Sequence, residues 1–218
     1  MQIKSFDKQS PSLALEQKMM IRRSLVAGID EAGRGALAGP VVAVAVCLTR
    51  SFLNKKLPSI LYQVRDSKKL SAKKRAEIFT AITSISEIEW GIGVVSEKTI
   101  DEINILESTK LAMIEALDNL PNQPDAIIID GNFKIDKNIK QSSIVKADQK
   151  IMSVAIASIL AKVTRDKIMI GYHSIYPGYH FDRHKGYGTR LHYQAISQYG
   201  SLPIHRHSFR LRGAWQKD

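Results

Sequence analysis

A disulfide framework is excluded at the outset, because the 218-residue chain holds a single cysteine, Cys47, set in the apolar run VVAVAVCLT. A lone thiol in such a run reads as a small core hydrophobe, and this usage fits a reducing, cytoplasmic compartment. Long hydrophobic runs are lacking too. The opening MQIKSFDKQSPSLALEQKMMIRRS has no continuous apolar stretch, so neither a secretory signal nor a membrane span is expected there. No internal repeat and no low-complexity tract appears, which argues against a solenoid or a disordered linker. Acidic residues are in deficit, 21 Asp plus Glu against 32 Lys plus Arg, for a formal net charge of +11. That surplus favours a polyanionic partner, and nucleic acid is the commonest. An anionic bilayer is the competitor, but no Lys/Arg-rich amphipathic helix of the membrane-surface kind is present.

What remains is 44% hydrophobic residues, enough to bury a sizeable core. Leu25 to Asp30 reads as a short strand, and VVAVAVCL after Pro40 as a buried one. Ser71 is placed to cap a helix over Ala72 to Ile82, and Glu89 to Val95 looks like a third strand. Ser96 can cap a further helical region that continues from Asn104 to Leu120, ended by Pro121 and Pro124. AIIID, residues 126–130, is a buried strand, and Ser142 to Val145 a shorter one. A long helix runs from Ile151 to Ile170, with small residues that permit close packing on a sheet. After Pro177 the chain turns irregular and basic, and a last helix spans Leu191 to Gln198. Clustered strands followed by alternating helices predict an α/β domain built on a mixed sheet. The expected organisation is a lead-in over 1–23, a main domain over 24–176, and a C-terminal helical segment over 177–218.

The stretch GIDEAGRGALAGP, residues 28–40, contains a match to the dinucleotide turn G-x-G-x-x-A. That reading needs a helix after the turn, because a helix N-terminus holds the pyrophosphate. Here Gly39-Pro40 and a Val-rich strand follow, so it fails. The glycines have another use, since without Cβ atoms they let backbone approach a ligand closely. Successive strand residues face opposite sides of a sheet, so Asp30 and Glu31 serve one site only if Glu31 lies past the strand end. Alternatively Asp30 caps the turn and Glu31 is solvated. Asp130 ends a second apolar strand, and ligands of α/β sheets bind beyond the carboxyl ends of strands. Asp148, just before the long helix, reads as an N-cap, a metal ligand, or both. A carboxylate cluster without a Cys/His set suits a hard cation, Mg²⁺ or Mn²⁺. A basic chain with such a site points to phosphate chemistry. His180 and His184 sit in an irregular region and are expected to be surface or substrate-contact residues. Lys68 and Lys69, with Ser67, are candidates for phosphate contacts that position a substrate without reading sequence.

Taken together, GIDEAGRGALAGPVV, DSKKLS, EINIL, IIIDGN, KADQK, SVAIASILAKVTRD, HKGYGT and HRHSF resemble bacterial ribonuclease HII. The resemblance runs in order from about Ala27 to the final HRHSF. It implies a ribonuclease H-like fold, with a central mixed sheet, flanking helices and a small C-terminal helical segment. It implies hydrolysis of the RNA strand of RNA–DNA hybrids and incision 5′ of single ribonucleotides in duplex DNA, leaving 3′-hydroxyl and 5′-phosphate ends. The implied cofactor is Mn²⁺ or Mg²⁺, the partner is hybrid or ribonucleotide-containing duplex rather than membrane, and the chain is expected to be a monomer. The matching metal and catalytic positions are Asp30, Glu31, Asp130 and Asp148; Asp166 is expected to pair with a basic side chain instead. Gly33, Arg34 and Gly35 match the turn that reads the ribose 2′-OH, and Tyr187 the tyrosine that packs on the sugar. His184, Lys185 and Arg190 surround Tyr187 and are further phosphate-contact candidates. Two departures are visible: Gly188 where Pro is frequent, and His207 where Arg is usual.

Overall fold

The computed structural model describes residues 11–20, 25–64 and 70–209. Ser67, Lys68 and Lys69 lie outside them. A short helix α1 (Ala14–Met20) precedes β1 (Val26–Ala32) and β2 (Val41–Leu48). The polar connection that follows contains a four-residue helix α2 (Arg50–Leu53) and a 3-10 turn at Ser59–Gln63, neither expected from the sequence. Next come α3 (Ala72–Thr83), β3 (Ile88–Val95) and α4 (Glu97–Asp118). Then follow β4 (Ala126–Asp130), β5 (Lys140–Ile144) and the long α5 (Met152–Ile175). Two helices close the described chain, α6 (Phe181–His184) and α7 (Arg190–Tyr199).

The five strands form one mixed sheet in the order β3-β2-β1-β4-β5. β1 runs antiparallel to β2 and parallel to β4, and β5 is parallel to β4. β2 is apolar at every position because helices cover both faces of the sheet. Val44, Val46 and Leu48 point into the layer holding α5 and α3, while Ala43, Ala45 and Cys47 point into the layer holding α4. Ser71 and Ser96 act as the N-caps expected of them, their hydroxyls accepting from the N–H groups of Lys74 and Thr99.

α4 is two helical segments joined at a kink. Asn104 breaks the backbone at φ 68°, ψ 166°, and its side-chain oxygen accepts from the N–H groups of Leu106 (2.9 Å) and Glu107 (3.1 Å), recapping the second half. The close packing of α5 on β1 is visible at Gly28, where a Cβ would lie 2.4 Å from Ser153 Oγ and 2.6 Å from the Val154 nitrogen. The C-terminal helices keep a small core of their own, built from Tyr179, Phe181, Ala195 and Ile204 against Ala38 and Met169.

Candidate metal centre and its glycine turn

Three carboxylates converge at one edge of the sheet. Asp30, Asp130 and Asp148 each offer an oxygen, and these atoms lie within 4.8 Å of one another. The topology explains the first two. β1 and β4 are parallel neighbours in the register Ile29↔Ile129, so the next residues, Asp30 inside β1 and Asp130 at the end of β4, stand side by side on the α5 face. Asp148 comes from a 3-10 turn, Ala147–Gln149, ahead of α5. That turn is tied back to β4 by the Ala147 N–H, which donates to Asp130 Oδ1 at 3.0 Å. Asp148 is not the N-cap of α5; Ile151 occupies that position and offers no side-chain acceptor.

Glu31 is placed differently from the expectation. β1 continues through it to Ala32, and Glu31 pairs with Ala43 of β2. Strand alternation therefore turns its side chain away from the α5 face, and it lies outside the three-aspartate group. It still lines the same cleft of about 250 Å³, where its Oε1 accepts from Arg34 Nη1 at 3.4 Å. Burial, followed by the nearby charges of Glu31 and Asp130, pushes the Asp30 carboxyl well above the usual carboxylate range, against the lowering effect of a hydrogen bond from Ser158. Acidic groups gathered so closely and so deeply need a counter-charge, and an all-oxygen donor set suits a hard divalent cation. Asp166 is elsewhere, paired with Lys162 at 2.7 Å and Arg75 at 4.0 Å.

The glycine turn forms the rim of this cleft. Gly33 has φ +100°, and a Cβ there would fall 2.0 Å from Arg165 Nε. At Gly35 a Cβ would meet nothing within 4 Å, so that backbone faces open space in the cleft. The turn is braced from beneath by two buried arginines. Arg165 donates to the carbonyls of Pro40, Lys185 and Ala38, each at 2.9 Å. Arg206 donates twice to the Gly39 carbonyl (3.0 and 2.8 Å) and once to that of Arg34 (3.0 Å). Burial and the neighbouring Arg165 charge lower Arg206 to about 9, so it stays cationic at neutral pH. Backbone bonds from Leu37 N–H to the Gly186 carbonyl and from Gly39 N–H to the Ile204 carbonyl, both 2.8 Å, lock the turn to the Tyr187 loop and the HRHSF segment. In that segment Arg206 is the buried anchor, while His207 is exposed and its N–H donates to Asp101.

Tyr187 lines the same cleft, its ring flanked by Lys162 Nζ (5.4 Å) and the Arg165 guanidinium (5.2 Å). His184, expected at the surface or on a substrate, is 7% exposed. Its Nδ1 accepts from the Gly186 N–H (3.1 Å), which leaves Nε2–H to donate to the Tyr179 carbonyl (2.7 Å). It stacks on His192 at 4.3 Å and shapes the Tyr187 loop from inside. Lys185 sits at φ 54° and its ammonium donates to the Asp182 carbonyl; Arg190 is exposed at the start of α7. Ser158, Lys162, Arg165 and Arg206 all belong to this site and were not singled out from the sequence. They stand in stretches that read as helix packing or as basic surface.

A protein-family model described as Ribonuclease HII matches residues 27–212. The chain is 50% identical over 195 residues to ribonuclease HII of Pelodictyon phaeoclathratiforme, covering 89% of this chain and 93% of that one. It is 51% identical over 186 residues to ribonuclease HII of Chlamydia pneumoniae, covering 85% and 83%. Among solved structures, ribonuclease H2 from Pyrococcus horikoshii superposes with a TM-score of 0.68 at 28% identity, over 85% of this chain and 93% of that one. The matched range takes in the sheet, the three aspartates and the glycine turn, and the chain belongs to the ribonuclease HII family of ribonuclease H hydrolases.

Proposed function

We propose that the chain hydrolyses the RNA strand of RNA–DNA hybrids and incises 5′ of single ribonucleotides embedded in duplex DNA, leaving 3′-hydroxyl and 5′-phosphate ends. The observation that carries this reading is the meeting of Asp30, Asp130 and Asp148 beneath a rim made by Gly33–Gly35 and Tyr187. Asp30, Asp130 and Asp148 would hold Mn²⁺ or Mg²⁺, with Glu31, which lines the same cleft, as a further ligand. A divalent cation bound there supplies charge neutralisation at the scissile phosphate and an acidified water.

The chain's own residues do the rest. Asp30, held by Ser158 and the Glu31 N–H, and Asp130, held by the Ala147 N–H, keep fixed positions without waiting for substrate. The Gly33–Gly35 backbone offers polar groups at a place with room for a ribose, and a 2′-OH is what separates RNA from DNA. Tyr187 packs its ring on the sugar next to that hydroxyl. Arg34, Lys162 and Lys185 contact phosphates, Ser67, Lys68 and Lys69 are assigned the same role from the sequence, and residues 177–209 act as the substrate-contacting segment. The protein is proposed to work as a monomer in the cytoplasm. Asp130→Asn tests the assignment: metal-dependent cleavage of a duplex holding one ribonucleotide should be lost while binding of the same duplex persists. Cleavage at the wild-type rate would contradict it. An all-DNA duplex should stay intact under the same conditions.

A further inference from the structure

The start of α5 has no cap of its own, and the segment that completes it comes from far upstream. Glu16 of α1 is 1% exposed, and its Oε1 accepts from both the N–H and the hydroxyl of Ser153, each at 2.9 Å. Two backbone bonds frame this contact: the Ser12 N–H donates to the Lys150 carbonyl and the Met152 N–H to the Ser12 carbonyl, both 3.1 Å. Leu13 is buried in the same core layer, with Leu15 and Met19 packed against it. A carboxylate at the first turn of a helix satisfies orphan N–H groups and complements the helix dipole. Ser153 also presses on Gly28, two residues before Asp30 on β1. Residues 150–153 therefore have one neighbour in the N-terminal segment and another in β1, and they follow Asp148 by two to five positions. The matched family region begins at residue 27, so this brace lies upstream of it.

We propose that Glu16 is a positioning residue for the metal centre, its carboxylate pinning the Lys150–Ser153 corner so that Asp148 is held against Asp30 and Asp130. The proposal rests on the metal reading of those three aspartates. It gives the N-terminal segment a function at the site without contact with the substrate. Groups that orient metal ligands typically cost roughly ten- to a hundredfold in metal affinity when removed.

The test is Mn²⁺ binding to the intact chain, measured by titration calorimetry without substrate, on variants whose circular dichroism shows a folded protein. Glu16→Ala should raise the Mn²⁺ dissociation constant by about tenfold. Ser153→Ala, which removes the hydroxyl bond and leaves the backbone one, should give a smaller shift of the same sign, and it decides the matter alone if Glu16→Ala does not fold. A lowered melting temperature with unchanged Mn²⁺ affinity in the folded variants would overturn the proposal, leaving Glu16 a stabilising contact only. Wild-type protein that binds no Mn²⁺ would instead sink the metal reading beneath it.

Discussion

Acid should attack this protein through the histidines behind the Tyr187 loop. Leu202 N–H lies 2.8 Å from His205 Nδ1, closer than the Leu202 carbonyl at 3.3 Å, so Nδ1 is the acceptor. His205 Nε2–H then donates to His192 Nε2 at 3.1 Å, and His192 Nδ1–H donates to the Tyr187 carbonyl at 3.1 Å. Every ring nitrogen is committed, and a further proton must break a bond inside an apolar pocket of Tyr179 and Phe181. Burial, then the charges of His184 and His205, lower His192 to about 3; burial above all, with His207 and His184 nearby, lowers His205 to about 4. The unfolded rings titrate near 6.5, so between pH 6.5 and 4 the unfolded chain binds protons that the folded one refuses, and stability falls with pH. From pH 7.5 to 5.0 each ring contributes a loss of about 2 kcal/mol. Asp30 and Glu16, both raised by burial, act with the opposite sign, because their folded forms take up protons first. A comparison removes them. His192→Gln keeps a donor for the Tyr187 carbonyl and an acceptor for His205 but cannot titrate. Urea unfolding at the two pH values, without metal, should show the variant losing about 2 kcal/mol less than the wild type. Equal losses in the two proteins would mean that the His192 ring protonates in the folded state, and the relay as drawn would be wrong.

Three further expectations concern other parts of the molecule. Arg165→Met removes the donor from two buried carbonyls and one partly buried one and should cost about 3 kcal/mol, seen as a melting temperature lowered by roughly 6–12 °C; an unchanged transition would refute the brace beneath the glycine turn. Tyr187→Ala should raise KM for a single-ribonucleotide duplex by about tenfold while Tyr187→Phe stays near wild type, since the ring face and not the hydroxyl is assigned the sugar contact. Ser71→Ala should destabilise by about 1 kcal/mol in denaturant unfolding through loss of the α3 cap, with cleavage unaffected.

The strands were legible because both faces of the sheet are covered, which makes VVAVAVCL and AIIID unmistakable as buried strands and ends the second at an acid. Read from the sequence, both acids stand at strand ends; only Asp130 is at one, and Asp30 meets it through the parallel register of β1 with β4. Glu31 was harder: its role turns on whether β1 stops before it, and the glycine turn two residues on suggested an earlier stop than pairing with β2 allows. Asp148 reads as a helix cap because it precedes α5 closely, yet it sits inside a separate 3-10 turn and the cap is supplied by Glu16, 137 residues before Ser153. Nothing local announces a partner at such a distance. Arg165 and Arg206 were hidden for a similar reason. Their partners are carbonyls of a glycine turn rather than carboxylates, so no charge pattern marks them, and a basic residue in a basic chain reads as surface.

Diffraction from crystals grown with Mn²⁺ shows whether Asp30, Asp130 and Asp148 share a divalent cation. Anomalous density is expected among these three carboxylates, with oxygens of at least two of them at about 2.0–2.2 Å, and should be lost in Asp130→Asn crystals. Saturating Mn²⁺ with no density among them, or a peak elsewhere that survives Asp130→Asn, would contradict it.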